Sequence, residues 1–485
     1  MRTALRFRTV VAVAAAAALT ITVAACSDSK DAATGDGTAA TATGEGGDSG
    51  GSGADAASPD TASSVTGEVA WWGWTPDKDV GDNYITEFNK VYPNIKVTFK
   101  NFENTQYKPS LRAALAAGEG PDVWNVAPGG DTGGVVLYAD YVEDLTQLAT
   151  NWLGADFATK WTPGFSSNLT LDGKLTGAPL GGVAAGFLWI NQTLFDQYGL
   201  SAPTTLDEWV DVCKTFADNG IICYGLGSGG GQTFASELLR VVLNSIDPDF
   251  FLQACQGKRE WNEPIMVQAI EIMRQMQADG IIEQDTVGKI HYPDSNNDFM
   301  SQRAAMNSMG TWYAQYSRKS SAIASMEAAG VSNPEPFVMV PIMFPNLAGN
   351  DWTPQLFAEV DYGLAVNKDS KNKEAAEIFV AWLTMTEEGS RTVMNALDLT
   401  PSLVGVEADW DKVDLVDNAV QKPAIQELFG EVEKIAQVES RQKLQTAETL
   451  QALVVGVEQI LGTNVDAQAI ADQIQADATV SPLQP

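Results

Sequence analysis

Residues 67–126 read GEVAWWGWTPDKDVGDNYITEFNKVYPNIKVTFKNFENTQYKPSLRAALAAGEGPDVWNV, and this stretch decides the fold. It contains strand-like apolar runs with two helix-like segments between them. The strand-like runs are 68–72, 95–99 and 122–126, and the helix-like segments are 82–91 and 107–117. This β-α-β-α-β order predicts an α/β fold with a largely parallel sheet, whose strand-following loops meet at the edge where such sheets bind ligands.

The same alternation continues downstream. A second unit begins after Gly182, where Thr205-Leu-Asp-Glu208 has the spacing of a capping box and predicts a helix over 206–217. Further segments are strand-like at 336–341 and 362–366, helical at 372–388, and amphipathic at 425–461, with a break, and at 466–476. Because 485 residues exceed what one hydrophobic core usually organises, two or more lobes are expected.

The first 25 residues have the pattern of an export signal. Arginines at 2, 6 and 8 precede an uncharged run over 9–25, which is short for a membrane span. The run ends in Val23-Ala-Ala-Cys26, which is similar to the lipobox of bacterial lipoproteins, so Cys26 is the expected lipidated N-terminus of the mature chain. An uncleaved anchor or a plain secretory signal are the alternatives.

A low-complexity stretch follows this signal. From Ser27 to Ser64 the chain is almost wholly Gly, Ala, Ser, Thr and acidic residues, so it cannot bury enough apolar surface to offset the entropy of ordering. It predicts a disordered tether with a reach of roughly 35 Å.

The charge balance restricts the partners. There are 30 Lys and Arg against 62 Asp and Glu, a formal charge of −32, which opposes binding to nucleic acid or anionic lipid headgroups. His291 is the only histidine, which excludes a site with two imidazoles such as a HExxH zinc centre.

Three cysteines remain besides Cys26. Cys213 lies near the end of the predicted helix and Cys223 on the strand-like run after it, so a short turn would bring them together. In an oxidising compartment this bridge would stabilise the fold by roughly 3 kcal/mol. Cys255 would then be a buried or free thiol, and other pairings stay open.

Several motifs, taken in order, resemble the extracellular solute-binding proteins of carbohydrate ABC importers, the group that includes maltose-binding protein. Ala116-Ala-Gly-Glu-Gly-Pro-Asp-Val123 is similar to the AxGxxPDV segment of this family. The stretch 299–312, FMSQRAAMNSMGTW, resembles FxxGKAAMxxxGxW, with Gln302 and Arg303 replacing the usual Gly-Lys. The segments 180–191, 203–209 and 363–389 resemble the crossings into the second lobe and back.

This resemblance implies two α/β lobes joined by a hinge, which close on a sugar and then dock on a membrane permease. The boundaries we predict are a signal peptide at 1–25, a lipid-anchored linker at 26–66, an N-terminal lobe at 67–182 and 355–400, and a C-terminal lobe at 183–354 and 401–480. We expect a monomer that touches the membrane through its lipid only.

A neutral sugar has an apolar ring face and a rim of hydroxyls, so its site needs flat aromatic side chains and fixed polar groups. Trp72 and Trp74, at the end of the first strand, and Trp312, at the end of the second family motif, are the stacking candidates. Trp71 is one residue out of phase with Trp72 and is expected in the core. The polar candidates follow strands and are Asn104, Gln106, Asp131, Gln232 and Asp361.

Two further stretches resemble ligand-binding loops but lack residues that those loops require. Gly227-Ser-Gly-Gly-Gly231 lacks the Lys-Ser/Thr pair of a phosphate loop, and Asp294-Ser-Asn-Asn-Asp298 is followed by Phe299 where a calcium loop needs glycine. The sequence therefore indicates no cofactor and no metal.

The leading hypothesis is a binding protein without catalytic residues. The alternative is a secreted carbohydrate-active enzyme, a glycosidase or lyase, which would use two of the many carboxylates as acid and base. A binding subunit that signals to a sensor instead of a permease would have the same sequence features.

Overall fold

Strands and helices alternate along the computed structural model, which describes residues 56–128, 134–231, 233–350, 355–435 and 444–481. The strands of this part are β1 Gly67–Gly73, β2 Ile95–Asn101, β3 Val123–Val126, β4 Thr170–Leu171, β5 Lys174–Leu175, β6 Ala178–Ala185, β7 Phe187–Asn191, β8 Ile222–Gly225, β9 Ala304–Asn307, β10 Met339–Met343 and β11 Phe357–Val366. Its helices are α1 Pro59–Ala62, α2 Lys78–Val91, α3 Asn104–Ala116, α4 Val135–Tyr138, α5 Thr146–Leu153, α6 Phe165–Asn168, α7 Gln192–Tyr198, α8 Leu206–Asp218, α9 Phe234–Ile246, α10 Phe250–Cys255, α11 Pro264–Ala278, α12 Asn296–Met300, α13 Lys319–Ala328, α14 Lys373–Met385, α15 Glu387–Ala396, α16 Asn418–Ile435, α17 Ala447–Gly462 and α18 Ala467–Asp477. Among the described helices, none is both long and apolar enough to cross a membrane.

The first lobe is built on a five-stranded sheet with the order β2-β1-β3-β11-β6. Strand β1 pairs in parallel with β2 and β3, whereas β11 runs antiparallel to β3 and β6. The predicted β-α-β-α-β unit is therefore present, and the loops after β1, β2 and β3 share one edge of the sheet. Helix α3 begins at Asn104, three residues earlier than predicted, which shortens the loop after β2.

The second lobe is built on a four-stranded sheet with the order β10-β7-β9-β8. Strand β7 is antiparallel to both β9 and β10, and β8 is parallel to β9. Each of these two sheets thus has a single strand that runs against the rest, and the molecule is a two-lobed α/β protein, as the sequence predicts.

The chain crosses between the two sheets at several points. The first crossing is at Gly186, between β6 and β7, and the second is the segment between β10 and β11. Gly186 has φ +96°, and a Cβ there would lie 2.8 Å from the backbone oxygen of Gln355 in the second crossing, so these crossings run side by side and require glycine. After α15, the Thr400 N–H donates to Gly182 O at 2.9 Å, which holds a further connection against β6.

Helical periodicity explains how the first sheet is covered. Val80, Tyr84 and Phe88 recur every four residues on α2 and are buried together with Trp71 of β1 and Phe379 of α14. This packing fixes the N-terminal end of α2 beside the end of β1, where the candidate site lies.

The predicted start of α8 is confirmed. The Thr205 Oγ1 accepts a hydrogen bond from the Glu208 N–H at 3.3 Å, and the Glu208 carboxylate accepts one from the Thr204 N–H at 2.7 Å. The first of these bonds satisfies a backbone donor that a helix leaves unpaired in its first turn, and the second holds the residue before the N-cap.

A disulfide joins α8 to the edge strand β8. It links Cys213 and Cys223, the pair that the sequence favoured, across a separation of ten residues. Cys255 is a free cysteine, buried in α10, where burial raises the pKa of its thiol to about 12.

Candidate functional site

The tryptophans of β1 divide between its two faces. Trp71 is fully buried and its indole N–H donates to Asn125 Oδ1 at 2.8 Å, so the prediction that it is a core residue is confirmed. Trp72 points to the other face, is half-buried and packs against the ring of Phe102 at 5.0 Å. The ammonium group of Lys100 lies 4.5 Å from its ring centre.

Trp74 lies beyond β1, at the edge shared by the strand-following loops. Its indole is half-buried and packs edge-on against Tyr107 of α3, at 5.0 Å, and Tyr362 of β11, at 5.5 Å. Two elements of the first lobe, α3 and β11, therefore hold this ring in place at the end of the sheet.

Trp312 connects the two lobes. It is half-buried and packs against an apolar cluster that contains first-sheet residues and against another that contains second-sheet residues. A Cβ on Gly310 would lie 1.9 Å from the indole, so only glycine lets the ring fold back over the backbone. This explains physically the Gly-x-Trp end of the motif.

A hydrogen bond crosses between the lobes close to these tryptophans. The Tyr316 hydroxyl, four residues after Trp312, donates to the Asp77 carboxylate at 3.2 Å, and the side chains of Tyr316 and Tyr292 also share a hydrogen bond. The Asp77 residue as a whole is exposed, but its carboxylate is largely shielded from water. This burial raises the pKa of the carboxylate, whereas the hydrogen bond from Tyr316 lowers it.

A buried acidic group lies beneath this contact. Asp398, which is 1% exposed, accepts a hydrogen bond from Gln315 Nε2 at 3.3 Å, while its Oδ2 has no partner among the described residues. The hydroxyls of Tyr84 and Tyr362 are likewise buried and without hydrogen-bond partners in the described part. Burial, followed by the charges of Asp77 and Asp361, raises the pKa of Asp398 well above its ordinary value.

The predicted polar residues are spread more widely. Asp361 is half-buried at an irregularity in the pairing of β11 with β6, next to Tyr362. Gln106 is exposed in the first turn of α3, not in a loop. Asp131, Gln232, Cys26 and the side chain of Asn104 lie outside what the structure describes.

Trp72 and Trp74 border one apolar cluster of the first lobe, linked through Phe102 and Tyr107. Trp74 also contacts Tyr362, the neighbour of Asp361, and both Trp74 and Trp312 pack against the core of the first lobe.

Sequence reasoning missed Asp77, Tyr316 and Asp398. The sequence pattern could have identified Asp77 as a site candidate, because it lies in the loop that follows the first strand. It could not have identified Asp398, which follows a helix.

The arrangement of these side chains suits ligand binding better than catalysis. Half-buried indoles can stack on an apolar ring face, and carboxylates and hydroxyls nearby can bond its polar rim. In the part of the chain that the structure describes, no group of three or more His, Cys, Asp or Glu side chains could hold a metal ion.

Most of the chain matches a known protein family. Residues 75–389 match the family described as bacterial extracellular solute-binding protein. This range covers both sheets except for β1, and it ends in α15.

Two curated relatives share part of the sequence. An uncharacterised ABC transporter extracellular-binding protein of Pyrococcus horikoshii is 24% identical over 232 residues, which is 46% of this chain and 51% of that protein. The melibiose/raffinose/stachyose-binding protein of Bacillus subtilis is 23% identical over 249 residues, 49% of this chain and 54% of that protein. The chain therefore spans about half the length of these curated relatives.

Solved structures share the fold over nearly their whole length. One, from work on xylan utilization by the thermophilic bacterium Caldanaerobius polysaccharolyticus, has a TM-score of 0.65 and 22% identity, covering 84% of this chain and 99% of its own. The binding protein RafE in complex with raffinose has a TM-score of 0.59 and 18% identity, covering 84% and 98%.

Proposed function

Because this chain belongs to the bacterial extracellular solute-binding proteins, we propose that it captures a sugar or oligosaccharide outside the membrane and delivers it to the permease of an ABC importer. The observation that carries this proposal is the inter-lobe position of Trp312, with Trp74 and the Asp77–Tyr316 hydrogen bond in the same region. A ligand placed there touches both lobes, so its binding energy can hold them together.

The proposed roles follow from side-chain chemistry. Trp74 and Trp312 stack on sugar rings, and the carboxylates of Asp77 and Asp361 accept hydrogen bonds from hydroxyl groups. Trp72, Asn104, Gln106, Asp131 and Gln232 remain candidates for further contacts. The relative named for melibiose, raffinose and stachyose, and the neighbour solved with raffinose, support a carbohydrate ligand.

Isothermal titration calorimetry of the purified protein against galactosides, malto-oligosaccharides, xylo-oligosaccharides and polyols tests this function. We expect saturable binding of at least one sugar and no new reducing ends after long incubation with it. A panel without any binding contradicts the proposal, and release of reducing ends would favour the glycosidase.

We further propose that the protein is anchored to the outer face of the cell membrane by a lipid on Cys26 and acts as a monomer. The export signal and the low-complexity stretch that follows it support the anchor. From residue 56 the predicted linker is packed on the first lobe, where α1 lies and the Ala57 N–H donates to the Glu377 carboxylate at 2.7 Å. In cells, Cys26→Ala should move the protein from the membrane fraction to the medium or the soluble fraction; retention in the membrane would contradict a lipid anchor.

A further inference from the structure

Tyr292 is the one exposed aromatic residue in the part of the chain that the structure describes. It is 43% exposed, whereas the site residues Trp74 and Trp312 are half-buried. The backbone is extended at Ile290 and at Tyr292, so the side chain of His291 between them points the other way and is buried. The segment therefore buries its histidine and presents its tyrosine at the surface.

The loop after β8 holds this segment in place. The Gly229 N–H donates to Lys289 O at 2.9 Å, and the Gly227 N–H donates to His291 Nδ1 at 3.2 Å. A Cβ on Gly227 would lie 2.4 Å from the His291 backbone nitrogen, so this close approach requires glycine. The glycine-rich stretch that lacks the residues of a phosphate loop thus fixes the backbone on which Tyr292 is carried.

Tyr292 belongs to the second lobe and faces the first. Its side chain shares a hydrogen bond with Tyr316, whose hydroxyl donates to the Asp77 carboxylate at 3.2 Å. Shielding from water raises the pKa of Tyr292, and the charges of Asp77 and Glu103 raise it further, against the effect of the Tyr316 bond. Asp77 follows β1 and Glu103 follows β2, so Tyr292 lies near the edge of the first sheet where the strand-following loops meet.

The two ends of the Tyr292 side chain have different surroundings. The hydroxyl is shielded and bonded to Tyr316, which fixes the orientation of the ring, while 43% of the residue stays exposed. A ring whose orientation is already fixed loses little conformational entropy when a ligand covers it, and covering it removes apolar surface from water. An aromatic face held in this way suits the apolar face of a pyranose ring.

We propose that Tyr292 is a binding residue of the sugar site: its ring packs on a pyranose unit from the second lobe, and its hydroxyl holds the ring in position through Tyr316 without bonding the sugar. This inference rests on the proposed function and adds a second-lobe contact to it. A sugar that touches Tyr292 and the carboxylate of Asp77 or Glu103 contacts both lobes, so its binding energy favours the arrangement in which they face each other.

Calorimetry of the purified protein with melibiose, raffinose, maltose and xylobiose tests this role. For the sugar that the wild type binds most tightly, Tyr292→Ala should lower the affinity about tenfold or more, and Tyr292→Phe, which keeps the ring, by less than about threefold. Val465→Ala, at a residue that is also 43% exposed but lies between α17 and α18, should leave the affinity unchanged. A Tyr292→Ala affinity within about twofold of the wild type overturns the inference and leaves the proposed function intact, whereas a wild type that binds none of these sugars loses both.

A second variant separates binding from folding. If Tyr292→Ala lowers the melting temperature, Tyr292→Leu replaces it, because leucine keeps apolar bulk without a flat ring. The loss of affinity should then persist while the melting temperature stays that of the wild type. Equal losses in Tyr292→Phe and Tyr292→Ala would show that the hydroxyl and not the ring recognises the sugar, and a Tyr292→Leu affinity equal to that of the wild type would show that no flat ring is needed; either result overturns the inference.

Discussion

His291 shows how one buried side chain supports the candidate site from behind. Its ring stacks on Phe234 at 4.5 Å, and Phe234 lies 6.3 Å from Trp312. The Gly227 N–H donates to its Nδ1 at 3.2 Å, and its Nε2 bonds to Ser308 O at 3.0 Å, which fits a neutral ring that accepts at one nitrogen and donates at the other.

The contribution of His291 to the unfolding free energy of the protein depends on pH. Burial lowers its pKa from 6.5 to about 4, against the effect of its hydrogen bonds. As pH falls from about 6.5 to about 4, His291 becomes protonated in the unfolded chain but stays neutral in the folded protein. The unfolding free energy therefore falls by about 3 kcal/mol because of this group. The difference in unfolding free energy between wild type and His291→Gln should shrink by that amount between pH 7 and pH 4, measured by urea unfolding. A difference that stays constant with pH would contradict it.

Trp312 is the residue on which the proposed site most depends. Removing its indole should weaken binding of the sugar that calorimetry identifies by about 2 kcal/mol or more, as for buried aromatic anchors elsewhere. Because the side chain is half-buried, we expect Trp312→Ala to cost less in unfolding free energy of the ligand-free protein than in binding.

The matched control is Trp152→Ala. Trp152 is also half-buried, but it lies on α5, where its indole N–H donates to Ala57 O at 3.2 Å. This variant should lose stability and keep its affinity. If both variants lose affinity equally, Trp312 acts through general stability and not through stacking.

At the scale of elements, the segments that follow β1 and β9 carry the two site tryptophans: Trp74 lies in the loop after β1, and Trp312 lies in a 3-10 helix, Thr311–Ser317. Asp361, in contrast, lies within β11. Gly186 and Gly310 allow close approaches that a Cβ would block, the first between two crossings and the second under the Trp312 ring. The helix α8 and the strand β8 are fixed to each other by the disulfide at the edge of the second sheet.

The Cys213–Cys223 bridge permits a test at this scale. Opening a loop of ten residues should lower the unfolding free energy by roughly 3 kcal/mol, mostly by freeing the unfolded chain. Reductant should therefore lower the urea midpoint of the wild type and leave that of a Cys213→Ala, Cys223→Ala variant unchanged. A wild type that is insensitive to reductant under unfolding conditions would show that the bridge does not stabilise the protein.

At the scale of the whole molecule, Asp398 lies where the chain leaves α15 between the lobes, and Gln315 contacts it from the second lobe. The charged groups acting on it are Asp77, Asp79, Asp361 and Arg318, of which only Arg318 favours its ionised form. The buried hydroxyls of Tyr84 and Tyr362 complete this polar region.

This position predicts a pH dependence opposite to that of His291. Since the pKa of Asp398 is raised in the folded protein, the folded state holds a proton that the unfolded state releases as pH rises above about 4, and stability falls over that window. Asp398→Asn keeps the shape without the charge, so at pH 8 its unfolding free energy should exceed that of the wild type by about 1 kcal/mol or more. The advantage should vanish at pH 4; a variant less stable at pH 8 would contradict this sign.

The sequence by itself determined the alternation of strands and helices, the favoured cysteine pair and the division of Trp71 from Trp72, because all of these follow from local periodicity and spacing. It also predicted, through its ordered motifs, the two-lobed fold. Only the tertiary structure decided that Asp77 meets Tyr316, 239 residues away, and that Asp398 lies buried beneath them. Such contacts depend on how two separately folded sheets are joined and brought together, and no local pattern encodes that geometry.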